Sequence, residues 1–257
     1  MNPMNWLFLK GLARSQAHWD RQPGVFMEHV PGARVYSLDL PGIGEAAERR
    51  APWRVAEIAD DLRERFLELR QSGEVDASAP WAILGISLGG MVAMEWLKSY
   101  PADFQRAVII ISSAGNLSPP WKRLLPSAGP NYLRAMFAKD VMETERRSLA
   151  ITTNDLERRD ELIADYIEIG KTCPMPLQTI KRQLIAATRW RAPAHLPIPT
   201  LFLGTEADHM VHSTCTRALA THFGMPLRMH ETAGHEIPHD DPVWLAKQVA
   251  GWMGLDA

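Results

Sequence analysis

Ser87 is the residue best placed to act as a nucleophile. It lies in GISLGG, where a short apolar run ends and a helical pattern begins. Gly85 and Gly89 have no side chains to collide in a tight strand-to-helix turn, and a serine at such a turn projects above the strand ends. A structural glycine-rich turn is the alternative, but strand, motif and helix together predict a nucleophile.

The predicted base is His235, because a serine hydroxyl is weakly nucleophilic at neutral pH without one. The segment ETAGHEIPHDDPVWL places His235 between the last predicted strand and the last predicted helix. That position is at the same sheet edge as Ser87. His209 and His239 lie beside candidate site positions and are expected as secondary residents of the pocket.

The predicted acid is Asp208, which follows a short apolar strand in GTEADHMV. Glu206 is the nearest competitor, although it could equally face solvent. The chain order serine, aspartate, histidine accompanies a serine at a strand-to-helix elbow, whereas other serine-triad folds use other orders. Three such motifs in this order predict a Ser87–His235–Asp208 catalytic triad.

These three residues require a sheet whose strands all end at one edge. Short apolar runs alternate with helical patterns along the chain, which is typical of parallel βα units. The predicted strands are residues 6–9, 34–38, 81–86, 107–111, 200–203 and 227–230. The predicted helices are residues 55–71, 88–99, 214–223 and 241–252. The fold class is therefore α/β, with a parallel sheet between helices.

Residues 115–193 break this alternation. They contain no convincing strand, their prolines fall in clusters, and several helix-length patterns lie between the prolines. We expect a helical cap insertion here, packed over one edge of a core made of residues 1–114 and 194–257.

The substrate pocket is expected between the sheet edge and the inserted helices. Trp121, Phe137 and Trp190 are its predicted apolar lining, although each is also suited to the core of a cap. Met210 and Ile237 stand beside the acid and the base, so their loops are expected to form the pocket wall.

Composition excludes several other classes of function. The 257-residue chain has a formal net charge of −2, which gives no basic footprint for nucleic acid. Cys173 and Cys215 lie far apart without further ligands at metal-binding spacing, so neither a disulfide framework nor a metal site is expected. No apolar stretch is long enough for a membrane span or a signal peptide. We expect a cytoplasmic protein without membrane or nucleic-acid partners.

Several of these stretches resemble the α/β-hydrolase family. GISLGG resembles the family elbow, EADHMV its acid loop, AGHEIPHDDPVWL its histidine loop, and LDLPGIGEA a further family loop. FLKGLARSQAHW aligns with the segment that shapes the oxyanion hole. The resemblance covers nearly the whole chain outside residues 115–193. It implies the α/β-hydrolase fold and an oxyanion hole formed by the backbone N–H groups of Leu12 and Leu88.

Lys10 departs from the family pattern, which has a histidine at this position. Its ammonium could reach the pocket and favour an acidic substrate. Equally, Lys10 could be a structural substitution that points toward solvent.

The chain start also departs from the family. Only five residues precede the first predicted strand, so the usual N-terminal hairpin is expected to be missing. The resemblance then implies six parallel strands, with strand 34–38 at an edge. Because an exposed edge strand can pair with another molecule, either a monomer or a homodimer is expected.

The predicted function is a serine hydrolase that cleaves a small carboxylic ester through an acyl-enzyme. A small acyl compound is its expected partner, and it needs neither metal nor organic cofactor. Among enzymes, the alternative is the same triad acting on a thioester, an amide or a carbon–carbon bond. From another class, the alternative is a non-catalytic ligand receptor or scaffold.

Overall fold

A computed structural model describes residues 3–76, 78–138 and 140–255 of the chain. Its strands are β1 (Met4–Leu9), β2 (Ala33–Ser37), β3 (Trp81–Ile86), β4 (Arg106–Ile110), β5 (Thr200–Thr205) and β6 (Leu227–His230). They form one sheet in the order β2-β1-β3-β4-β5-β6, and every neighbouring pair is parallel. The predicted parallel sheet and the edge position of the second strand are confirmed.

Eleven helices surround this sheet in the described part of the chain. They are α1 (Gln22–His29), α2 (Val55–Gln71), α3 (Leu88–Ser99), α4 (Pro120–Arg123), α5 (Gly129–Met136), α6 (Val141–Thr152), α7 (Leu156–Thr172), α8 (Leu177–Arg189), α9 (Thr214–Phe223), α10 (Ile237–Asp240) and α11 (Pro242–Met253). The helices predicted from periodicity correspond to α2, α3, α9 and α11.

Helix α1 was not predicted, and Pro23 and Gly24 near its start are weak helix formers. Proline is tolerated in the first turn of a helix, where its missing N–H has no intrahelical partner. Burial of Phe26 stabilises the helix, since its ring packs 5.0 Å from the Trp6 ring, measured between centroids. Tertiary packing here outweighs weak local propensity.

The sheet is buried on both faces, as parallel sheets require. Alternate residues of β1 point to opposite sides. Leu7 and Leu9 pack in one core cluster with residues of α2 and α3, and Trp6 and Phe8 pack in a second cluster with residues of α1 and α11. Packing on both faces holds the sheet in place, and with it the ends of the strands, where the site residues lie.

The segment between β4 and β5, which we call the helical segment, contains α4 to α8 and no strand among its described residues. It joins the core partly through contacts between α8 and α3. The absence of strands agrees with the expectation from the proline clusters. Within residues 3–76, 78–138 and 140–255, no helix is long and apolar enough to cross a bilayer.

Candidate active site

Ser87 occupies the single-residue turn between β3 and α3, with φ 55° and ψ −115°. A non-glycine residue in this conformation costs about 1–3 kcal/mol and persists only where its surroundings hold it. Its N–H donates to the Ile110 carbonyl at 2.9 Å, and its carbonyl accepts from the Ser112 hydroxyl at 2.9 Å. The strained turn is thus fixed by β4 and the residues that follow it.

Close backbone packing explains the glycines around Ser87. A Cβ atom added at Gly85 would lie 2.4 Å from the Gly89 carbonyl oxygen, and one added at Gly89 would lie 2.3 Å from the Leu9 carbonyl oxygen. Gly11 approaches from β1, where an added Cβ would lie 3.3 Å from the Ser87 Cβ. The turn and the loop after β1 therefore meet without room for side chains.

His235 and Asp208 form a buried hydrogen-bonded pair. The His235 Nδ1 donates to the Asp208 Oδ2 at 2.8 Å, and the two side chains are 6% and 1% exposed. The other Asp208 oxygen accepts from the backbone N–H groups of Met210 at 2.7 Å and Val211 at 3.0 Å. Glu206, the competing acid, is exposed and pairs with Arg217.

The environment of His235 makes it a stronger base than an isolated histidine. Burial lowers its pKa, but the charge and the hydrogen bond of Asp208 outweigh burial, so the pKa lies above its usual value. The same hydrogen bond occupies Nδ1 and leaves Nε2 as the nitrogen available to a reacting group.

Ser87 lies where two cavities adjoin. We call the cavity of about 110 Å³ the small lobe and that of about 450 Å³ the large lobe. Both are lined by Leu12, Ser87, Tyr132 and Met210. The small lobe is also lined by Arg14, Thr144, Glu145, Ser148, His235 and Glu236. The large lobe is also lined by Leu88, Met91, Ile111, Trp121, Leu124 and Leu184.

Leu12 and Leu88 flank Ser87 at this junction. Leu12 lines both lobes and Leu88 lines the large lobe. In the described part of the chain, neither backbone N–H has an acceptor within the protein. The Leu88 amide belongs to the first turn of α3, where backbone N–H groups have no partner within the helix.

Lys10 points into the protein and is 2% exposed. Its Nζ donates to the Glu236 carboxylate at 2.7 Å and lies 4.4 Å from the centre of the Trp19 ring. Lys10 is in the lining of neither lobe, and it is a structural residue that points into the protein rather than toward solvent. A buried ammonium requires a counter-charge, and Glu236 supplies it from the position after His235.

The Lys10 charge controls the ionisation of Glu236. Burial by itself raises the pKa of a carboxyl group, but Lys10 reverses that effect and lowers the pKa of Glu236 to about 2. Glu236 is therefore an anion at neutral pH, one residue from His235.

The predicted lining residues fall into two groups. Met210 lines both lobes, and Trp121, which is 64% exposed, lines the large lobe. Phe137 is 65% exposed and lies outside both linings, so it was wrongly assigned. Trp190 and Ile237 were also wrongly assigned. Trp190 is buried with its Nε1 donating to Glu95 at 2.9 Å, and Ile237 packs in the core on the α11 face.

The two secondary histidines, His209 and His239, lie in different environments. His209 is exposed, whereas His239 is fully buried behind the site. The His239 Nε2 donates to the His18 carbonyl at 2.8 Å, and the Tyr166 hydroxyl lies 3.3 Å from its Nδ1. Burial, together with the Lys10 charge, lowers the pKa of His239 to about 4, so its ring is neutral in the folded protein at neutral pH.

Sequence reasoning missed the polar end of the small lobe. Arg14 donates to the Glu145 carboxylate at 2.9 Å and to the Ser148 hydroxyl, and lies 5.0 Å from the centre of the Tyr166 ring. Arg14 belongs to a motif that the sequence does reveal, but Glu145 lies 131 residues away along the chain. No local spacing could indicate such a pair.

Comparison with known proteins places this geometry in context. A family model described as serine aminopeptidase, S33 (Hydrolase_4) matches residues 29–242. Over 92 residues, the chain is 29% identical to a poly(3-hydroxyalkanoate) depolymerase of Ectopseudomonas oleovorans, covering 36% of this chain and 30% of that protein. Over 218 residues, it is 23% identical to the pimeloyl-[acyl-carrier protein] methyl ester esterase of Vibrio cholerae serotype O1, covering 83% and 79%.

Coverage of the relatives varies. In three curated relatives, the matched part is only 30%, 38% and 55% of the relative's own length. Among solved structures, a hydrolase from Pseudomonas aeruginosa superposes with a TM-score of 0.73 at 20% identity, covering 98% of this chain and 90% of that chain. A likeness at this identity concerns the fold.

Proposed function

We propose that this chain, which belongs to the Hydrolase_4 family (serine aminopeptidase, S33) and has the α/β-hydrolase fold, is a serine hydrolase that cleaves a carboxylic ester through Ser87, His235 and Asp208. One observation carries the proposal. His235 donates to the buried Asp208 carboxylate, and the same histidine lines the small lobe together with Ser87, which lies on a strained turn. This is the set of groups that activates a serine.

In this mechanism, His235 acts first as a base. Asp208 fixes the ring orientation and stabilises the imidazolium that forms. His235 takes the Ser87 proton as the oxygen attacks the ester carbonyl, and then donates that proton to the leaving alcohol. A water molecule, deprotonated by His235, then attacks the acyl-enzyme, and His235 returns that proton to the Ser87 oxygen as the acid leaves.

The negative charge on the carbonyl oxygen needs stabilisation during both attacks. The backbone N–H groups of Leu12 and Leu88 provide it in this proposal, since both residues line the cavity next to Ser87. Removing one such donor from a hydrolase costs about 3–4 kcal/mol of transition-state stabilisation. The position of Leu88 in the first turn of α3 adds the positive end of the helix dipole.

An ester is the bond that the comparisons favour. The Vibrio cholerae relative is named as a methyl ester esterase, and its alignment covers 83% of this chain. The same triad chemistry also cleaves thioesters and amides, so the bond type requires a direct measurement.

The test uses one acid in three linkages. Nonanoic acid is presented as its methyl ester, its S-methyl thioester and its N-methylamide, and kcat/KM is measured for each. We expect the ester to give the highest kcat/KM and Ser87→Ala to lower it by about 10⁴-fold or more. A faster thioester or amide would replace the ester in this proposal.

A receptor or scaffold would behave differently. It would bind these compounds without turnover, and Ser87→Ala would leave binding unchanged. Turnover lost on substitution of Ser87 therefore separates the enzyme from the class of binding proteins.

A further inference from the structure

The two lobes meet at Ser87 but differ in the reactive group that they contain. His235 lines only the small lobe, whereas Leu88 lines only the large lobe. A substrate attached to Ser87 therefore has His235 on the side of the small lobe and Leu88 on the side of the large lobe.

The position of His235 decides which part of an ester enters each lobe. His235 must donate a proton to the leaving oxygen, so that oxygen and its alcohol lie on the His235 side. The carbonyl carbon stays bonded to the Ser87 oxygen, so the acyl chain takes the remaining direction. Resting on the proposed function, we infer that the small lobe holds the leaving alcohol and the large lobe holds the acyl group.

The volumes compare the space that is available to each part. The large lobe, at about 450 Å³, falls in the range of about 300–1,000 Å³ that is typical of cavities for ligand-sized groups. The small lobe, at about 110 Å³, falls well below it. The substrate is therefore an ester of a large acid with a short alcohol.

Both lobes have mostly apolar linings, so polarity does not distinguish them. Met91, Ile111 and Leu184 give the large lobe apolar walls for an aliphatic acyl chain, and Arg123 adds one charged side chain to them. Arg14 and Glu145 line the small lobe as a pair that neutralises itself. A short neutral alcohol such as methanol needs no charged partner there, because the Glu145 and Glu236 carboxylates are already paired with Arg14 and Lys10.

Two isomeric esters test the orientation directly. Methyl nonanoate and octyl acetate have the same atoms but place the long chain on opposite sides of the ester bond. We expect kcat/KM for methyl nonanoate to exceed that for octyl acetate by about tenfold or more, because the small lobe offers the octyl chain less space and contact than the large lobe. A preference for octyl acetate overturns the assignment.

One substitution made in each lobe provides a matched control. Ala187 lines the large lobe and Ala135 lines the small lobe, so Ala187→Leu and Ala135→Leu add the same atoms in different places. We expect Ala187→Leu to lower the kcat/KM ratio of methyl nonanoate to methyl propanoate about tenfold, and Ala135→Leu to lower the ratio of ethyl to methyl nonanoate by a similar factor. Exchanged effects overturn the assignment.

A variant that enlarges the large lobe keeps the test possible if a leucine variant fails to fold. If either leucine variant is unfolded by circular dichroism, Leu184→Ala replaces it, because truncation widens the large lobe. We expect Leu184→Ala to raise kcat/KM for the methyl ester of a branched acid relative to methyl nonanoate. No change in this ratio contradicts the assignment.

Failure of this inference is distinguishable from failure of the proposed function. If esters are cleaved with Ser87-dependent turnover but octyl acetate is preferred, the lobes are wrongly assigned and the proposed function stands. If none of these esters is cleaved and Ser87 does not react with a fluorophosphonate, the proposed function fails and the assignment fails with it.

Discussion

Lys10 Nζ lies 2.7 Å from the Glu236 carboxylate, and both side chains are nearly fully buried. Lys10 stands next to Gly11, which packs against Ser87, and Glu236 follows His235 directly. This ion pair therefore joins the loop that carries Leu12 to the loop that carries His235. Lys10 and Glu236 are 226 residues apart in the sequence, so the pair connects two loops of the candidate site that are distant along the chain.

Removing one partner of this pair should strongly destabilise the fold. Glu236→Gln leaves the Lys10 ammonium buried without a counter-charge, and Lys10→Met leaves the Glu236 carboxylate in the same situation. Each change should lower the free energy of unfolding by about 3–5 kcal/mol, measured by urea denaturation. The double variant removes both charges and should lose much less than the sum of the two.

An exposed ion pair provides the control for these Lys10 and Glu236 variants. Lys171 and Glu168 are 60% and 66% exposed, so Lys171→Met should change the free energy of unfolding by less than about 0.5 kcal/mol. Additive losses in the Lys10→Met/Glu236→Gln variant would show that the two side chains do not interact.

The pH dependence of ester cleavage should report the ionisation of His235. Only the neutral ring accepts the Ser87 proton, so kcat/KM falls as the pH drops through the His235 pKa. Burial lowers that pKa, but Asp208 raises it further than burial lowers it, which puts the midpoint of the acidic limb above 6.5.

Glu236 also raises the His235 pKa through its charge. Glu236→Gln should therefore move the acidic limb to lower pH, whereas the same substitution at the exposed Glu206 should leave it in place. A limb that moves to higher pH in Glu236→Gln would contradict this electrostatic assignment.

Gly89, in the first turn of α3 after Ser87, should not tolerate a methyl group. In Gly89→Ala, the added Cβ meets the Leu9 and Lys10 carbonyl oxygens at 2.3 and 2.5 Å, so the turn must shift. We expect a loss of about 1–3 kcal/mol or more in stability, together with a loss of activity. Gly24→Ala in α1 has open space around it and should instead stabilise by about 0.5–1 kcal/mol. Equal effects of the two alanines would refute the packing explanation.

Buried His239 should make the fold sensitive to acid. Burial lowers its pKa from 6.5 to about 4, so between these values the unfolded chain binds a proton that the folded protein does not. Stability should therefore fall as the pH decreases from about 6.5 to about 4. His239→Asn should reduce this slope by up to about 1.4 kcal/mol per pH unit, measured by urea denaturation at several pH values. An unchanged slope in His239→Asn would contradict the assignment of this acid sensitivity to His239.

Local sequence patterns were sufficient to predict the sheet. Strands such as β3 are short apolar runs bounded by turn formers, and Ser87 follows β3 directly, so the sheet positions it. Asp208 and His235 stand in the loops after β5 and β6, which end at the same edge of the parallel sheet. The pairing of His235 with Asp208 rather than Glu206 depends on loop geometry that the sequence leaves open.

Long-range partners explain the wrong predictions. The Lys10 side chain is buried because Glu236 pairs with it. The Trp190 side chain is buried with its indole N–H donating to Glu95. Arg14 likewise acquires its role only when α6 brings Glu145 and Ser148 beside it. Periodicity records which face of a helix is apolar, but not which distant residue covers it.

Covalent labelling of Ser87 tests the central claim most directly. The folded protein is treated with a fluorophosphonate probe and the modified peptide is identified by mass spectrometry. Ser99→Ala, at an exposed serine in the last turn of α3, serves as the matched control for Ser87→Ala. We predict one probe per chain on Ser87, retained in Ser99→Ala and lost in Ser87→Ala, in His235→Ala and after denaturation in urea. Folded wild-type protein that carries no probe on Ser87 would contradict an activated serine at this site.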